Sequence, residues 1–401
     1  MTPCYVLFME RSENGTMVPV GAGIVTALVG YTSAFAVVLA GLRGVGASPG
    51  QAASGLLAVT VTMGAASALL SWRYRMPIIS AWSTPGAALL ATTGAVAGGW
   101  PAAVGAFVVC GVLFVVTGLW PALARWVQRI PAPIAQAMLA GVLLPLCIAP
   151  VKALAAHPAA VAPVLLVWLV LLKVRPRWAV PLAFVVALVV IAIALVRDDA
   201  VPAVSALVPH VEWTTPAWTL QAMTGVLLPL YIVTMASQNI PGAAVLATYG
   251  YSVPWRPALT VTGVLSAVGA PFGGHAINLA AISAALAAGP DAGPASRRWI
   301  AGVSSGAANL VLGVVSTGLT AVVLAAPEGV IQAVAGVALV GAFAAACAGA
   351  MAEEAARVPA AVTFVVAASG TTVAGIGSAF WALVVGIVVY VLLGVRRSLE
   401  E

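Results

Sequence analysis

The sequence predicts an all-α polytopic membrane protein of fourteen transmembrane segments, arranged as two inverted repeats of seven, with the third and tenth segments broken. Three observations predict this fold. The 401 residues are 62% hydrophobic and only 7% charged, which is too little charge for the surface of a soluble domain. Apolar runs of about 20 residues, the length that spans a bilayer, recur from Val18 to Val395. The two halves of the chain also resemble each other.

The apolar runs form two sets of seven. The first set covers 18–41, 51–72, 77–93, 101–119, 132–151, 158–174 and 178–196. The second set covers 220–247, 256–271, 274–289, 299–323, 329–350, 358–375 and 379–395. The first run is too long for a cleaved signal peptide, so we expect it to be retained. The repeats are therefore predicted at 18–196 and 218–395, with a leader at 1–17, a connecting loop at 197–217 and a tail at 396–401.

The basic residues predict the orientation in the membrane. If the N-terminus is cytoplasmic and each segment crosses in turn, only Arg43, Lys152 and Arg197 of the 17 basic residues lie in outside loops, which leaves 17 − 3 = 14 inside. Cytoplasmic loops carry an excess of Lys and Arg. Both termini are therefore predicted to be cytoplasmic, with residues 197–217 outside the cell.

Two pairs of motifs predict the internal repeat. "IAQAMLAGV" from Ile134 resembles "VIQAVAGVA" from Val330, and "PAAVAPVLLV" from Pro158 resembles "PAAVTFVVAA" from Pro359, at offsets of about 200 residues. Seven crossings per half would insert the second copy upside down, an arrangement typical of secondary transporters. Chance similarity between alanine- and valine-rich helices is the alternative.

The third segment, "MPIISAWSTPGAALL", contains a predicted break. Proline pushes the preceding residue toward extended conformations and is favoured in the first turn of a helix. We therefore expect residues 78–82 to be extended, Ser83 or Thr84 to be the N-cap, and a half-helix to start at Pro85. Hydrocarbon permits such a break only where it is buried in protein or lines a cavity.

The tenth segment, "APFGGHAINLAAISAALAAG", repeats this pattern with Pro271 and two glycines. Here Asn278 is the predicted cap and Leu279 the start of the half-helix. Two inverted half-helices would point their N-termini at each other, and each N-terminus offers free N–H groups and partial positive charge. This arrangement predicts an anion site, although simple proline kinks are the alternative.

Further polar residues at membrane depth are expected to face the same cavity. "TMASQNIPG" contributes Gln238 and Asn239, and "VGYTSAF" contributes Tyr31, Ser33 and Phe35. Intramembrane polar groups are costly and usually face the bundle interior, although hydrogen bonding between helices is the alternative for each. No Asp or Glu lies at the predicted midplane, so a negative ligand is favoured.

Aromatic residues near the third segment are compatible with an aromatic ligand. Trp82, Tyr31 and Phe35 could flank an aromatic ring, with ordinary packing as the alternative for each. We assign three other buried amides to hydrogen bonding between helices: Gln136, Asn309 and Gln332.

The sequence lacks the motifs that are typical of several other classes of function. The net charge of +6 says less than the placement of charge in a membrane protein, and nucleic acid is not an expected partner. Four scattered cysteines form no C-x-x-C pair, so we expect neither a metal nor a cofactor. No P-loop supports an ATP-driven pump, and no H-E-x-x-H motif or intramembrane carboxylate pair supports an embedded enzyme. A membrane-embedded enzyme or a channel is the alternative to a transporter.

Four motifs together resemble the benzoate/proton symporter family of bacterial inner membranes. They are "PVGAGIVTALVGYTSAFAVVLAGL", "RMPIISAWSTPGAALL", "SQNIPG" and "PFGGHAINLAAISAA", and the resemblance extends over essentially the whole apolar chain. It implies the fold shared with uracil/proton symporters and sulfate-type anion transporters. In that fold a core domain, here 18–119 with 218–323, carries the site and slides like an elevator against a gate domain, here 132–196 with 327–395.

The resemblance implies import of benzoate or a similar aromatic carboxylate with a proton, and another small anion or a nucleobase is the alternative substrate. In the uracil relatives, acidic residues serve substrate and proton, whereas this chain has amides in those regions, which leaves the proton route open. His275 is the proton-coupling candidate, with a structural role as the alternative. Assembly as a homodimer is also left open by the sequence. The candidate substrate-binding residues are Tyr31, Ser33, Phe35, Trp82, Ser83, Thr84, Pro85, Gln238, Asn239, Asn278 and Leu279.

Overall fold

The computed structural model describes residues 16–120, 122, 123, 125 and 129–394 and is mostly helical. The predicted leader up to residue 15 and the predicted tail lie outside the described residues. The first half contains α1 (Met17–Gly44), α2 (Pro49–Tyr74), β1 (Ser80–Trp82), α3 (Thr84–Thr93), α4 (Gly99–Leu119), α5 (Ala132–Ala156), α6 (Pro158–Val174) and α7 (Pro176–Arg197).

A short helix, α8 (Val204–Leu207), lies between the halves. The second half contains α9 (Leu220–Thr248), α10 (Trp255–Gly269), β2 (Ile277–Leu279), α11 (Ile282–Ala288), α12 (Trp299–Leu324), α13 (Val330–Met351), α14 (Arg357–Ala368) and α15 (Ser378–Leu392). The thirteenth predicted segment is shorter than expected, because its helix ends at Ala368 and an isolated β-bridge between Val373 and Ile376 follows.

Eight helices in the described part are long and apolar enough to cross a membrane, judged by length and composition: α1, α2, α4, α5, α7, α9, the helical stretch Ala295–Leu324 that includes α12, and α13. The helices α6 and α15 are apolar but shorter. Large apolar side chains stay exposed on outward faces, as at Leu166, Val196 and Val311, where lipid would cover them. The prediction of a multi-pass helical membrane protein is confirmed at this level.

The helices pack in two groups. In one group, α12 packs on α1 and α2, α10 packs on α4 and α2, and α1 packs on α3. In the other, α13 and α14 pack on α5, α6 packs on α7, and α15 packs on α14. The two groups meet where α1 contacts α7 and α13 and where α3 contacts α5.

Small residues allow close contact between helices. A Cβ added to Gly306 of α12 would lie 2.5 Å from the carbonyl oxygen of Gly64 on α2, so only glycine fits there. Close backbone approach of this kind drives helix association in a bilayer, where apolar side chains gain nothing over lipid. The α2–α12 pair thereby forms a tight support for the broken segments.

The helix α9 is irregular at two places. Residues Met223–Leu227 and Met235–Asn239 form π-helical turns, and a proline follows each turn at Pro229 and Pro241. Proline lacks an N–H, and its ring clashes with the carbonyl four residues earlier, so the wider turn accommodates it. Single π turns are frequent at functional sites, and the second turn contains the predicted "SQN" residues.

The two strands form one antiparallel ribbon. Ser80 pairs with Leu279, Ala81 with Asn278, and Trp82 with Ile277. The ribbon joins the third and tenth segments inside the bundle, where their backbone groups would otherwise have no partners.

Candidate functional site

The strand β1 is held in place by two serines of α2. Ser67 Oγ accepts a hydrogen bond from the Ser80 N–H at 2.8 Å, and Ser71 Oγ donates to the carbonyl oxygen of Ile78 at 2.9 Å. Positions i and i+4 lie on the same face of a helix, so this serine pair presents two hydroxyls to the extended residues. Part of the interrupted backbone is thereby satisfied without water.

The strand β2 is held by side chains from two other helices. Ser266 Oγ of α10 accepts from the Ile277 N–H at 3.0 Å, and Asn239 Oδ1 of α9 accepts from the Leu279 N–H at 2.9 Å. Both side chains that fix β2 are buried. Ser266 therefore does for β2 what Ser67 does for β1.

The half-helix α3 begins as the sequence predicts. Ser83 is the N-cap: its Oγ accepts from the Gly86 N–H at 3.1 Å and lies 2.7 Å from Thr234 Oγ1 of α9. Pro85 occupies the first turn, where a missing N–H costs nothing. The extended conformation predicted before the cap is confirmed by β1.

The predicted start of the second half-helix is wrong. Asn278 and Leu279 lie in β2, and α11 starts only at Ile282 with no side-chain cap. Pairing with β1 takes these residues out of the helix, and the Asn278 side chain donates to the Leu279 carbonyl oxygen at 2.8 Å instead of capping. The tenth segment thus contributes a seven-residue helix and no capped N-terminus.

A cavity of about 180 Å³ lies where the two breaks meet. The third segment lines it with residues that include Ser80, Trp82 and Thr84, and the tenth with residues that include Ala280 and Ser283. The opposite wall comes from the second packing group: Leu143 of α5 and Ala338, Leu339, Gly341 and Ala342 of α13. The cavity therefore lies between the two groups of helices.

Six of the eleven predicted substrate-binding residues line this cavity: Tyr31, Ser33, Trp82, Thr84, Pro85 and Gln238. The other five do not, and they support the wall from behind: Phe35, Ser83, Asn239, Asn278 and Leu279. The proton-coupling candidate His275 is also absent from the lining. It is buried next to Phe107, with 6.4 Å between ring centroids.

An aromatic row forms one side of the cavity. The ring centroids of Trp82 and Tyr31 are 5.3 Å apart, and those of Tyr31 and Phe35 are 5.5 Å apart. Phe35 continues the row to Phe184 of α7 at 5.7 Å. Tilted rings at these distances attract one another, so Trp82 and Tyr31 present a rigid apolar surface to the cavity.

The polar side of the cavity contains three groups that sequence reasoning did not select. Ser80, Ser305 and Asn309 are 1%, 0% and 3% exposed, and each has a buried oxygen without a hydrogen-bond partner among the described residues. The expected hydrogen bond between Asn309 and another helix is therefore not formed by its Oδ1. Buried polar atoms without partners are costly, and in a cavity they indicate a place for a polar ligand group.

The electrostatic character of the cavity is neutral. No Asp, Glu, Lys, Arg or His occurs among the described residues that line it. The first turn of α3 has little left to offer an anion: Gly86 and Ala87 donate to Ser83 and Pro85 has no N–H, which leaves the Thr84 N–H. Within the described ranges, no group of three His, Cys, Asp or Glu side chains could hold a metal ion.

Comparisons with known proteins bear on the family and the fold. The family model "BenE: Benzoate membrane transport protein" matches residues 14–392. The chain is 37% identical over 374 residues to "Inner membrane protein YdcO" of Escherichia coli (strain K12), covering 93% of this chain and 95% of that protein. It is 30% identical over 378 residues to the "Benzoate membrane transport protein" of Acinetobacter baylyi, covering 93% and 94%.

Solved structures share the fold at low sequence identity. The transmembrane domain of the cyanobacterial bicarbonate transporter BicA matches with a TM-score of 0.59 and 15% identity over 94% of this chain and 97% of that chain. The murine anion transporter Slc26a9, in the inward-facing state, matches with a TM-score of 0.64 and 12% identity over 98% and 72%. These matches show that the chain has the fold of these anion transporters.

The predicted resemblance to the benzoate transporter family is thus confirmed. The prediction that the chain is not an enzyme is also confirmed, because the matched family, the benzoate relative and the structural neighbours are transport proteins. The chain is a multi-pass membrane transporter, and it belongs to the BenE benzoate membrane transport protein family.

Proposed function

We propose that the protein imports benzoate or a similar aromatic carboxylate, together with a proton, across the inner membrane. One observation carries the proposal: the cavity between the two broken segments has an aromatic side and a side of buried polar atoms without partners. An apolar cavity of roughly 150 Å³ can bind benzene. About 180 Å³ therefore suits one aromatic ring with a small polar group.

In the proposed pose, the ring lies against Trp82 and Tyr31, and the carboxyl group points toward Ser80, Ser305 and Asn309. Ser33, Thr84, Pro85 and Gln238 complete the wall. The remaining predicted residues act through others. Ser83 and Asn239 fix α3 and β2, while Phe35 supports Tyr31.

The proposed architecture has fourteen segments in two inverted repeats, with both termini cytoplasmic. The roles of Ser67 and Ser266 support it, because they hold β1 and β2 in the same way and are 266 − 67 = 199 residues apart, close to the offset of the sequence repeat. Residues 18–119 with 218–323 would be the core, and 132–196 with 327–395 the gate. Assembly as a homodimer stays a prediction.

Transport would proceed by an elevator motion of the core against the gate. The position of the cavity supports this, since core residues form one wall and gate residues Leu143 and Leu339 belong to the other. Sliding of the core would carry the bound substrate past a fixed gate. A verified crosslink between α1 and α13 should abolish transport, whereas undiminished transport in the crosslinked protein would contradict the elevator.

Uptake into proteoliposomes tests the proposal as a whole. Labelled benzoate should accumulate when the outside is acidic, and a protonophore should remove the accumulation. Competition by unlabelled benzoate, bicarbonate and uracil separates the substrate classes. Accumulation of bicarbonate or uracil in place of benzoate would contradict the proposed substrate, and benzoate uptake insensitive to the proton gradient would favour a channel or uniporter.

A further inference from the structure

We infer that the cavity binds the aromatic acid in its neutral, protonated form, so that the imported proton travels on the carboxyl group of the substrate itself. This inference rests on the proposed function and adds to it the identity of the proton carrier. The transport protein then needs no side chain that changes its charge during the transport cycle.

The charge of the cavity is the first observation that supports this inference. Tyr31 is the only titratable side chain among the described residues of the lining. The other charged or titratable side chains on the helices around the cavity do not line it: Arg43, Arg73, Tyr74, Cys147, Lys152, Tyr231 and Cys347. Arg75, His275 and Arg298, which lie next to these helices, do not line it either.

Several of these cations also have partners elsewhere. The Arg75 guanidinium lies 4.0 Å from the Trp299 ring centroid, and Arg298 donates to the backbone oxygens of Gly293 and Ala288 at 2.7 and 2.8 Å. A carboxylate in the cavity would thus be buried without a counter-charge. An ionised carboxyl group in that position takes up a proton instead of staying charged.

The hydrogen-bonding capacity of the cavity is the second observation. Asn309 Oδ1 is a buried acceptor without a partner among the described residues. A carboxylate has only acceptors and would leave this oxygen unsatisfied, whereas a carboxylic acid has one O–H donor as well as an acceptor. A carboxylic acid and a carboxamide can therefore satisfy each other, with the acid O–H donating to Oδ1 and the amide N–H donating to the acid carbonyl.

The two serines can each donate a hydrogen bond to the carboxylic acid or accept one from it. Ser80 Oγ and Ser305 Oγ are also buried without partners, and a hydroxyl can donate or accept by rotation. Together with Asn309 they offer the neutral acid a full set of partners. No covalent bond to the protein forms: a proton from the water on the entry side binds a carboxylate oxygen, and the same proton leaves to water on the exit side.

Calorimetry on the purified full-length protein in detergent tests the inference directly. Titrations of benzoate at pH 7 in buffers of different ionisation enthalpy should report uptake of one proton per ligand bound. Benzamide has a similar shape and needs no proton, so it should bind with no proton uptake. Benzoate binding without proton uptake, or equal uptake for both ligands, would overturn the inference.

A series of ring-substituted benzoates identifies where the proton is. A carboxylic acid with a pKa of about 4 is neutral to only about one part in a thousand at pH 7, so the Kd should rise about tenfold per pH unit above that pKa. The pH at which this rise begins should shift with the acidity of each ligand. The same onset for all ligands would place the proton on a protein group and contradict the inference.

A matched pair of variants tests the role of Asn309. Asn309→Leu should weaken benzoate binding about tenfold or more. Gln136→Leu removes an amide that does not line the cavity and should leave binding unchanged. Equal affinity of the two folded variants would contradict the assigned contact. Failure of the unmodified protein to bind benzoate at any pH would contradict the proposed function, and this inference with it.

Discussion

The hydrogen bond between Asn239 and β2 makes the sharpest prediction about stability. In the Asn239→Leu variant, the Leu279 N–H would lose its acceptor at 2.9 Å while staying buried. Leaving a buried donor unpaired costs about 1–3 kcal/mol. The side chains are similar in size, so this cost should appear as a fall in the free energy of unfolding, equivalent to roughly 5- to 140-fold in the ratio of folded to unfolded protein.

The measurement is unfolding of the purified protein in mixed micelles of mild detergent and dodecyl sulfate, followed by circular dichroism. Ser237→Ala is the matched control, because Ser237 lies in the same π-helical turn and its buried hydroxyl has no partner among the described residues. This control should unfold like the unmodified protein or slightly later. If Asn239→Leu is as stable as Ser237→Ala, the bond to β2 is not what holds the ribbon in place.

Three further predictions concern the site and the topology. Trp82→Ala should reduce benzoate affinity about tenfold or more, through the lost ring contact, while the affinity for acetate changes little in parallel binding isotherms; an equal loss for both would place the ring elsewhere. Gly242→Val should abolish uptake with helix content retained, because a Cβ at Gly242 would lie 2.8 Å from the Ala280 carbonyl oxygen and push the cavity wall inward; normal uptake would contradict this. Single cysteines in place of Arg175 and Asp199 should react with an impermeant reagent from opposite sides of the membrane, and reaction from the same side would refute the predicted topology.

The sequence predicted the features that depend on neighbouring residues. The N-cap could be narrowed to Ser83 or Thr84 because a hydroxyl residue just before Pro85 is a local signal, and the structure shows that Ser83 forms the cap. The same reasoning failed at Asn278, because the partner that draws this residue into a strand is Ala81, far away in the chain. Local patterns contain no information about which distant segment will offer a hydrogen-bonding edge.

The polar side of the cavity could not be predicted for a related reason. Asn309 is a single amide within an apolar helix, and nothing near it in sequence separates a ligand contact from a bond between helices. Its position becomes informative only in the folded protein, where Asn309 and Ser80 line the same cavity. The π-helical turns of α9 precede Pro229 and Pro241, but Pro145 and Pro150 lie inside the regular helix α5, so proline alone could not have located the irregular helix.

The ribbon between β1 and β2 also constrains how the protein is made. Trp82 and Ile277 pair with each other but are 277 − 82 = 195 residues apart, a stretch that takes a ribosome about 10–40 s to synthesise at roughly 5–20 residues per second. During that time β1 has no partner strand, and an open strand edge is unfavourable in hydrocarbon. The hydroxyls of Ser67 and Ser71 bind the opposite edge of β1, at the Ser80 N–H and the Ile78 carbonyl oxygen, as soon as α2 and β1 are made. Only the edge that later pairs with β2, at Ile79 and Ser83, then waits for its partner, which gives these two serines a role in the biogenesis of the protein before there is any site to support.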